Sequence, residues 1–123
     1  MKTLAAIIVL FFIGSGLHAQ EDDCSNFRDS WKSEKQAISK IQKAHFEISE
    51  SITAENSAWM ASAHFYACDS ESGFLIVEGD KKTYIHQEVP KVIWTALKDA
   101  RSIGGFYNFY IKNNYKIETK DTI

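Results

Sequence analysis

The chain has 123 residues, 45% of them hydrophobic and 24% charged, and its 14 basic and 16 acidic side chains leave a formal net charge of −2 at pH 7. That is one domain's worth of chain, enough for a single core. The balance lacks the positive excess that drives phosphate binding and counterion release, so generic affinity for nucleic acid or an anionic membrane is disfavoured.

The chain opens MKTLAAIIVLFFIGSGLHA. Lys2 is the only charge there, Leu4 to Ile13 is unbroken apolar sequence, and Gly14, Ser15 and Gly16 precede Ala19. This pattern predicts a secretory signal peptide cleaved after Ala19 and a secreted or periplasmic product. The run is half the roughly 20 apolar residues that a membrane helix needs, so no membrane span is expected after cleavage. Cys24 and Cys68 are the only cysteines. In an oxidising compartment they are expected to pair, closing a long loop that contributes roughly 4 kcal/mol in the chain-entropy model. Two thiols without placed histidines are too few for structural zinc, and neither metal nor cofactor is expected.

Asp22 to Ile52 reads as one long helix that Ser25 can cap. Phe27, Trp31, Ile38, Ile41, Ile48 and Ile52 recur along one face with His45, and only Glu34 interrupts the stripe. Packing of this helical segment, residues 20–56, on the chain's own sheet is favoured over a two-stranded coiled coil. Thr53 to Ser57 is a polar break, after which the period changes to two. Ala61 to Cys68 predicts a strand, Asp69 to Gly73 a turn, and Phe74 to Glu78 a second strand. Gly79-Asp80-Lys81 turns the chain into a hairpin partner over Thr83 to Gln87. There Tyr84 and His86 share one face, with Thr83, Ile85 and Gln87 on the other.

Pro90 suits the first position of a helix and biases Val89 toward extended backbone. Val92, Ile93, Trp94 and Leu97 give that helix an apolar face. After the break at Ser102-Ile103-Gly104-Gly105, a last helix places Ile103, Phe106, Tyr107, Tyr110 and Ile111 on one stripe, followed by Tyr115. The rings are spaced to pack as core. The tail, residues 118–123, is expected to fray. The fold class is α+β: a small antiparallel sheet, made of a hairpin and one further strand, packed by two C-terminal helices and preceded by the long N-terminal helix.

From Asp69 to Tyr115 the chain resembles the KTSC family, named for a domain at the C-terminus of some lysyl-tRNA synthetases. The resemblance rests on Val89-Pro90, then Ala100, Ser102, Gly104, Phe106, Tyr107, Asn108, Ile111, Lys112 and Tyr115. It departs where His86 replaces the second tyrosine of a Tyr-x-Tyr that begins at Tyr84, and where Cys68 replaces an aromatic. The KTSC-like domain is expected over residues 57–117. For such proteins nucleic-acid binding has been inferred from the synthetase fusion alone, and the acidic balance here argues against it.

Tyr84, His86, Asn108, Lys112 and Tyr115 are the candidate binding residues, a polar aromatic edge suited to a ligand or partner. Asn108 has a structural alternative, a bond to a nearby loop, and Ser102 is expected to cap the helix that carries it. Cys68 with His64 or His86 and the adjacent Asp69 has the residue types of a thiol hydrolase. On a strand, however, Cys68 and Asp69 point to opposite faces. The favoured reading is a non-catalytic secreted module that binds a protein or envelope component, with nucleic-acid binding as the alternative.

Overall fold

The structure, a computed structural model, describes residues 31–119. The predicted signal peptide, Cys24 and the tail from residue 120 lie outside the described residues. The elements run α1 (Glu34–Lys43), β1 (Ile48–Thr53), β2 (Met60–Ala67), β3 (Ser72–Gly79), β4 (Thr83–Pro90), α2 (Lys91–Asp99) and α3 (Ile103–Phe106). A π-helical turn follows over Tyr107–Ile111. All four strands pair antiparallel in sequence order, β1-β2-β3-β4. The architecture is α+β, one helix before an open sheet and helices after it.

The expected helix over residues 22–52 is corrected. Within the described part, the helix starts at the Ser33 cap, whose hydroxyl accepts from the Gln36 N–H at 3.1 Å, and closes at Ala44. Ile48 to Thr53 is instead an edge strand, paired from Ile48↔Ala67 to Thr53↔Ser62. Ile48 and Ile52 are four residues apart, a spacing that a helix stripe and a strand face both accept. Ser49, Ser51 and Thr53 decide between them, because these three exposed polar residues alternate with Ile48, Glu50 and Ile52.

Alternation divides the sheet between two cores. Ala63, Phe65, Leu75, Val77 and Val89 face the C-terminal helices and pack with Trp94, Leu97, Tyr107 and Ile111. Ile76 and Ile85 face the other way, against Ala37 and Ile41 of α1 and against Trp31, Phe46 and Ile117. Each fully buried aliphatic side chain contributes roughly 1.5–3 kcal/mol relative to exposure. Seating α1 on the sheet therefore stabilises the domain more than its ten residues of helix could do alone.

Three local features aim the side chains discussed below. Between Gly73 and Leu75 the β3–β4 register shifts, so Gln87 and Glu88 together oppose Phe74. Glu88 adopts a left-handed φ of 54°, which costs a non-glycine residue on the order of 1 kcal/mol. The bulged segment then meets the C-terminal chain, where the Gln87 N–H donates to the Tyr115 carbonyl at 3.1 Å and His86 bridges to Lys116. Pro90 caps α2 at φ −62°, and the Lys91 N–H donates to the Glu71 carbonyl at 2.8 Å. In the π turn the Lys112 N–H donates to the Tyr107 carbonyl at 2.9 Å, five residues back.

That turn corrects the expected aromatic stripe. Tyr107 and Ile111 are buried and Phe106 is half-buried, but Tyr110 is 47% exposed; Phe109, which the stripe did not include, is 75% exposed. The start of the tail, expected to fray, is instead held in place, since Thr119 is buried and bridges Trp31. Among the described residues no helix is long and apolar enough to cross a membrane.

Candidate functional site

Strand β4 and the segment after the π turn enclose a cleft of about 580 Å³. Tyr84, His86 and Tyr107 form its wall, and Lys82, Lys112 and Lys116 its basic rim, with Glu34 and Glu118 also lining it. The strand period sets the first three of these positions: Lys82, Tyr84 and His86 are two apart and emerge on one side of the chain.

Within this wall Tyr107 and His86 are paired. The Tyr107 hydroxyl lies 2.6 Å from His86 Nε2, and His86 Nδ1 lies 3.2 Å from the Tyr115 carbonyl. A carbonyl only accepts, so Nδ1 carries the proton and Nε2 accepts from the tyrosine hydroxyl. Burial lowers the His86 pKa to about 4 against the hydrogen bond to Tyr115, and the positive charge of Lys116 acts in the same direction as burial. Burial also raises the Tyr107 phenol, assisted by Tyr84 and Glu34. Both groups are therefore neutral across the physiological range. Ring contacts hold the wall, with Trp59 edge-on to Tyr84 at 6.0 Å and tilted against Tyr107 at 5.3 Å. Lys82 Nζ lies 5.1 Å from the centre of the Tyr84 ring.

Of the candidate residues, the structure brings Tyr84, His86 and Lys112 together. The Tyr115 ring packs on the inner core and its backbone carbonyl serves His86. Asn108 lies elsewhere, in a second cavity beside Ser102 and Gly104. Its side chain makes none of the described hydrogen bonds, whereas Ser102 caps α3 as expected, accepting from the Gly105 N–H at 3.0 Å. Lys82, Lys116 and the hydroxyl of Tyr107 were not legible as site groups, although Lys82 lies one strand period before Tyr84 and Lys116 one helical turn beyond Lys112.

The thiol constellation is not assembled. Cys68 is exposed just past β2, with His64 four residues back, about 13 Å of extended chain. His64 instead bonds Ser51 at 2.7 Å and Ser62 at 3.2 Å, on the face of the sheet that it shares with Ile76 and Ile85. His86 is two strands away, with both ring nitrogens engaged. Among the described residues no group of three potential ligands could hold a metal ion.

Residues 64–115 match the model of the KTSC domain. Over that segment the chain is similar to a KTSC domain. Its hairpin, α2, α3 and π turn all fall inside the match, as does most of the cleft: Lys82, Tyr84, His86, Tyr107 and Lys112 are KTSC residues, while Glu34, Lys116 and Glu118 are not. Among solved structures the chain is similar to a KTSC domain protein from Yersinia pestis, at 19% identity and a TM-score of 0.48, over 58% of this chain and 96% of that one. No curated protein matches the chain.

Proposed function

We propose that this protein is an exported, non-catalytic binding module whose KTSC cleft docks an acidic segment of a protein or envelope component. The observation that carries the reading is the cleft itself, an aromatic wall rimmed by Lys82, Lys112 and Lys116, none of them in an ion pair with another described residue. The half-buried Tyr84 ring supplies contact area of the kind enriched at interfaces, and the three exposed ammonium groups supply charge complementarity at the rim. The neutral His86–Tyr107 pair adds polarity without acid–base power near pH 7, since a general base works best with a pKa close to the operating pH.

The double variant Lys112→Ala, Lys116→Ala tests this reading. Both side chains are exposed, so folding stability should change by less than about 0.5 kcal/mol per site. Capture of partners from an envelope extract, compared with wild type by quantitative mass spectrometry, should fall at least tenfold. An unchanged capture profile excludes the cleft as the docking site. The lysine rim also gives nucleic-acid binding its one support; Glu34 and Glu118 in the same cleft oppose a phosphate backbone and an acidic segment alike, and it is the net negative charge of the chain that disfavours nucleic acid. Binding of an oligonucleotide that falls steeply with salt would favour that second reading.

Export rests on the sequence leader, and the Cys24–Cys68 pairing on that compartment. Intact-mass and N-terminal analysis of protein recovered outside the cytoplasm should find a chain beginning at Gln20, with the mass of the oxidised rather than the dithiol form. An uncleaved chain carrying two alkylatable thiols would remove both parts of the proposal.

A further inference from the structure

A second cavity, of about 460 Å³, lies between the β1–β2 turn and the loop joining α2 to α3. Its lining includes Glu55 and Trp59 from one side, and Arg101, Gly104 and Asn108 from the other. Its volume lies within the range of small-molecule sites.

The polar groups around it have not been used up by the fold. Glu55 and Arg101 do not pair with each other or with any other described residue; neither takes part in the Lys98–Glu50 ion pair or the His64–Glu78 contact. The Trp59 indole N–H and the Asn108 amide likewise make none of the described hydrogen bonds. No fully buried side-chain nitrogen or oxygen lacks a partner among the described residues, so the unpaired indole nitrogen keeps some contact with solvent. Elsewhere in the wall, polar groups are spent on the turn: Ser57 Oγ accepts from the N–H groups of Met60 at 2.9 Å and Trp59 at 3.2 Å.

Gly104 fixes the position of the indole edge. A Cβ there would lie 2.8 Å from Trp59 Nε1 and 3.1 Å from Ser57 Oγ, so only glycine lets α3 approach the indole this closely. The site thus presents one cation and one anion, with an indole N–H and an amide as further donors. A simple anion would face Glu55, and a simple cation would face Arg101.

We propose that this cavity binds a small zwitterion, an ammonium and a carboxylate carried on one molecule, as in a free amino acid or a short free peptide. Arg101 takes the carboxylate with the Trp59 N–H and Asn108 assisting, and Glu55 takes the ammonium. The site is separate from the lysine-rimmed cleft and does not depend on its function.

The Trp59 indole N–H is a built-in probe. Alanine, dialanine, N-acetylalanine and alanine amide are titrated into the 15N-labelled full chain while its indole cross-peaks are followed by NMR. The proposal expects a saturable shift of the Trp59 peak with alanine or dialanine, weakened at least about tenfold for the acetylated and amidated forms. Preference for alanine identifies a free amino acid as the ligand class, and preference for dialanine a peptide. Arg101→Gln and Glu55→Gln, both at exposed positions, should each weaken the shift by a similar factor, and Lys112→Ala with Lys116→Ala should leave it intact. No shift with either zwitterion, equal binding of the blocked forms, or a response indifferent to Arg101→Gln and Glu55→Gln would overturn it.

Discussion

Trp94→Ala should lower folding stability by about 4 kcal/mol, the upper part of the range for removing a large ring from a sealed core. Trp94 is fully buried and stacks on Phe65 with centroids 5.3 Å apart and planes 9° from parallel. Its indole N–H donates to Glu50 at 2.7 Å, and Lys98 Nζ donates to the same carboxylate oxygen at 2.9 Å. Trp94 therefore fills the space between α2 and the sheet and also ties α2 to the edge strand β1. For a domain of this size the loss corresponds to a fall in Tm of roughly 20 °C by circular dichroism. Trp94→Phe keeps one six-membered ring but loses the donor and the fused five-membered ring, so it should cost about 2–3 kcal/mol, less than the alanine variant. A loss below about 1 kcal/mol for the alanine variant would mean that this core is not what holds the helices.

Acid should destabilise the fold through His86. Its ordinary pKa is 6.5 and burial lowers it to about 4 in the folded protein. Between those values the unfolded chain takes up a proton that the folded chain refuses. The contribution of the neutral ring is therefore complete above about pH 6.5 and is lost as pH falls toward 4, a change of about 3 kcal/mol at most. The groups around the ring are the Tyr107 hydroxyl, the Tyr115 carbonyl and Lys116, with the Glu34, Glu118, Lys82 and Lys112 side chains lining the same cleft. Urea denaturation at half-unit steps from pH 7 to pH 4 should show the decline, and His86→Gln should flatten it. Glu50, whose pKa is lowered by its bonds to Trp94 and Lys98, adds a separate loss only below its ordinary 4.5. A wild-type profile level across the window would show that the ring ionises freely in the fold.

Local chemistry made much of this architecture legible in the sequence. The turn at Gly79 and the cap at Ser102 each depend on a residue or its immediate neighbours and stand where those residues predict, and α2 begins one residue later than expected, with Pro90 as its extended N-cap rather than its first helical residue. The β1 strand was hidden because Ile48 and Ile52 satisfy two periods at once. Glu88 and the π turn could not be read, because partners distant in sequence or an altered hydrogen-bond step set them. The candidate binding edge was half legible for the same reason. Alternation along β4 correctly grouped Tyr84 with His86, but Asn108 points away from Tyr107 because neighbouring helical positions diverge by about 100°. Trp59, which links both cavities, carries no positional signal beyond being a large ring in a polar turn.

The wide turn at Tyr107–Ile111 acts as an extra bead threaded into an otherwise ordinary coil. Excising one residue there would restore regular winding and swing everything downstream by about 100°. Lys112 would leave the lysine rim, and the Tyr115 carbonyl would no longer meet the imidazole. The irregularity within which Tyr110 faces water is thus the same one that keeps the basic and neutral halves of the cleft in phase.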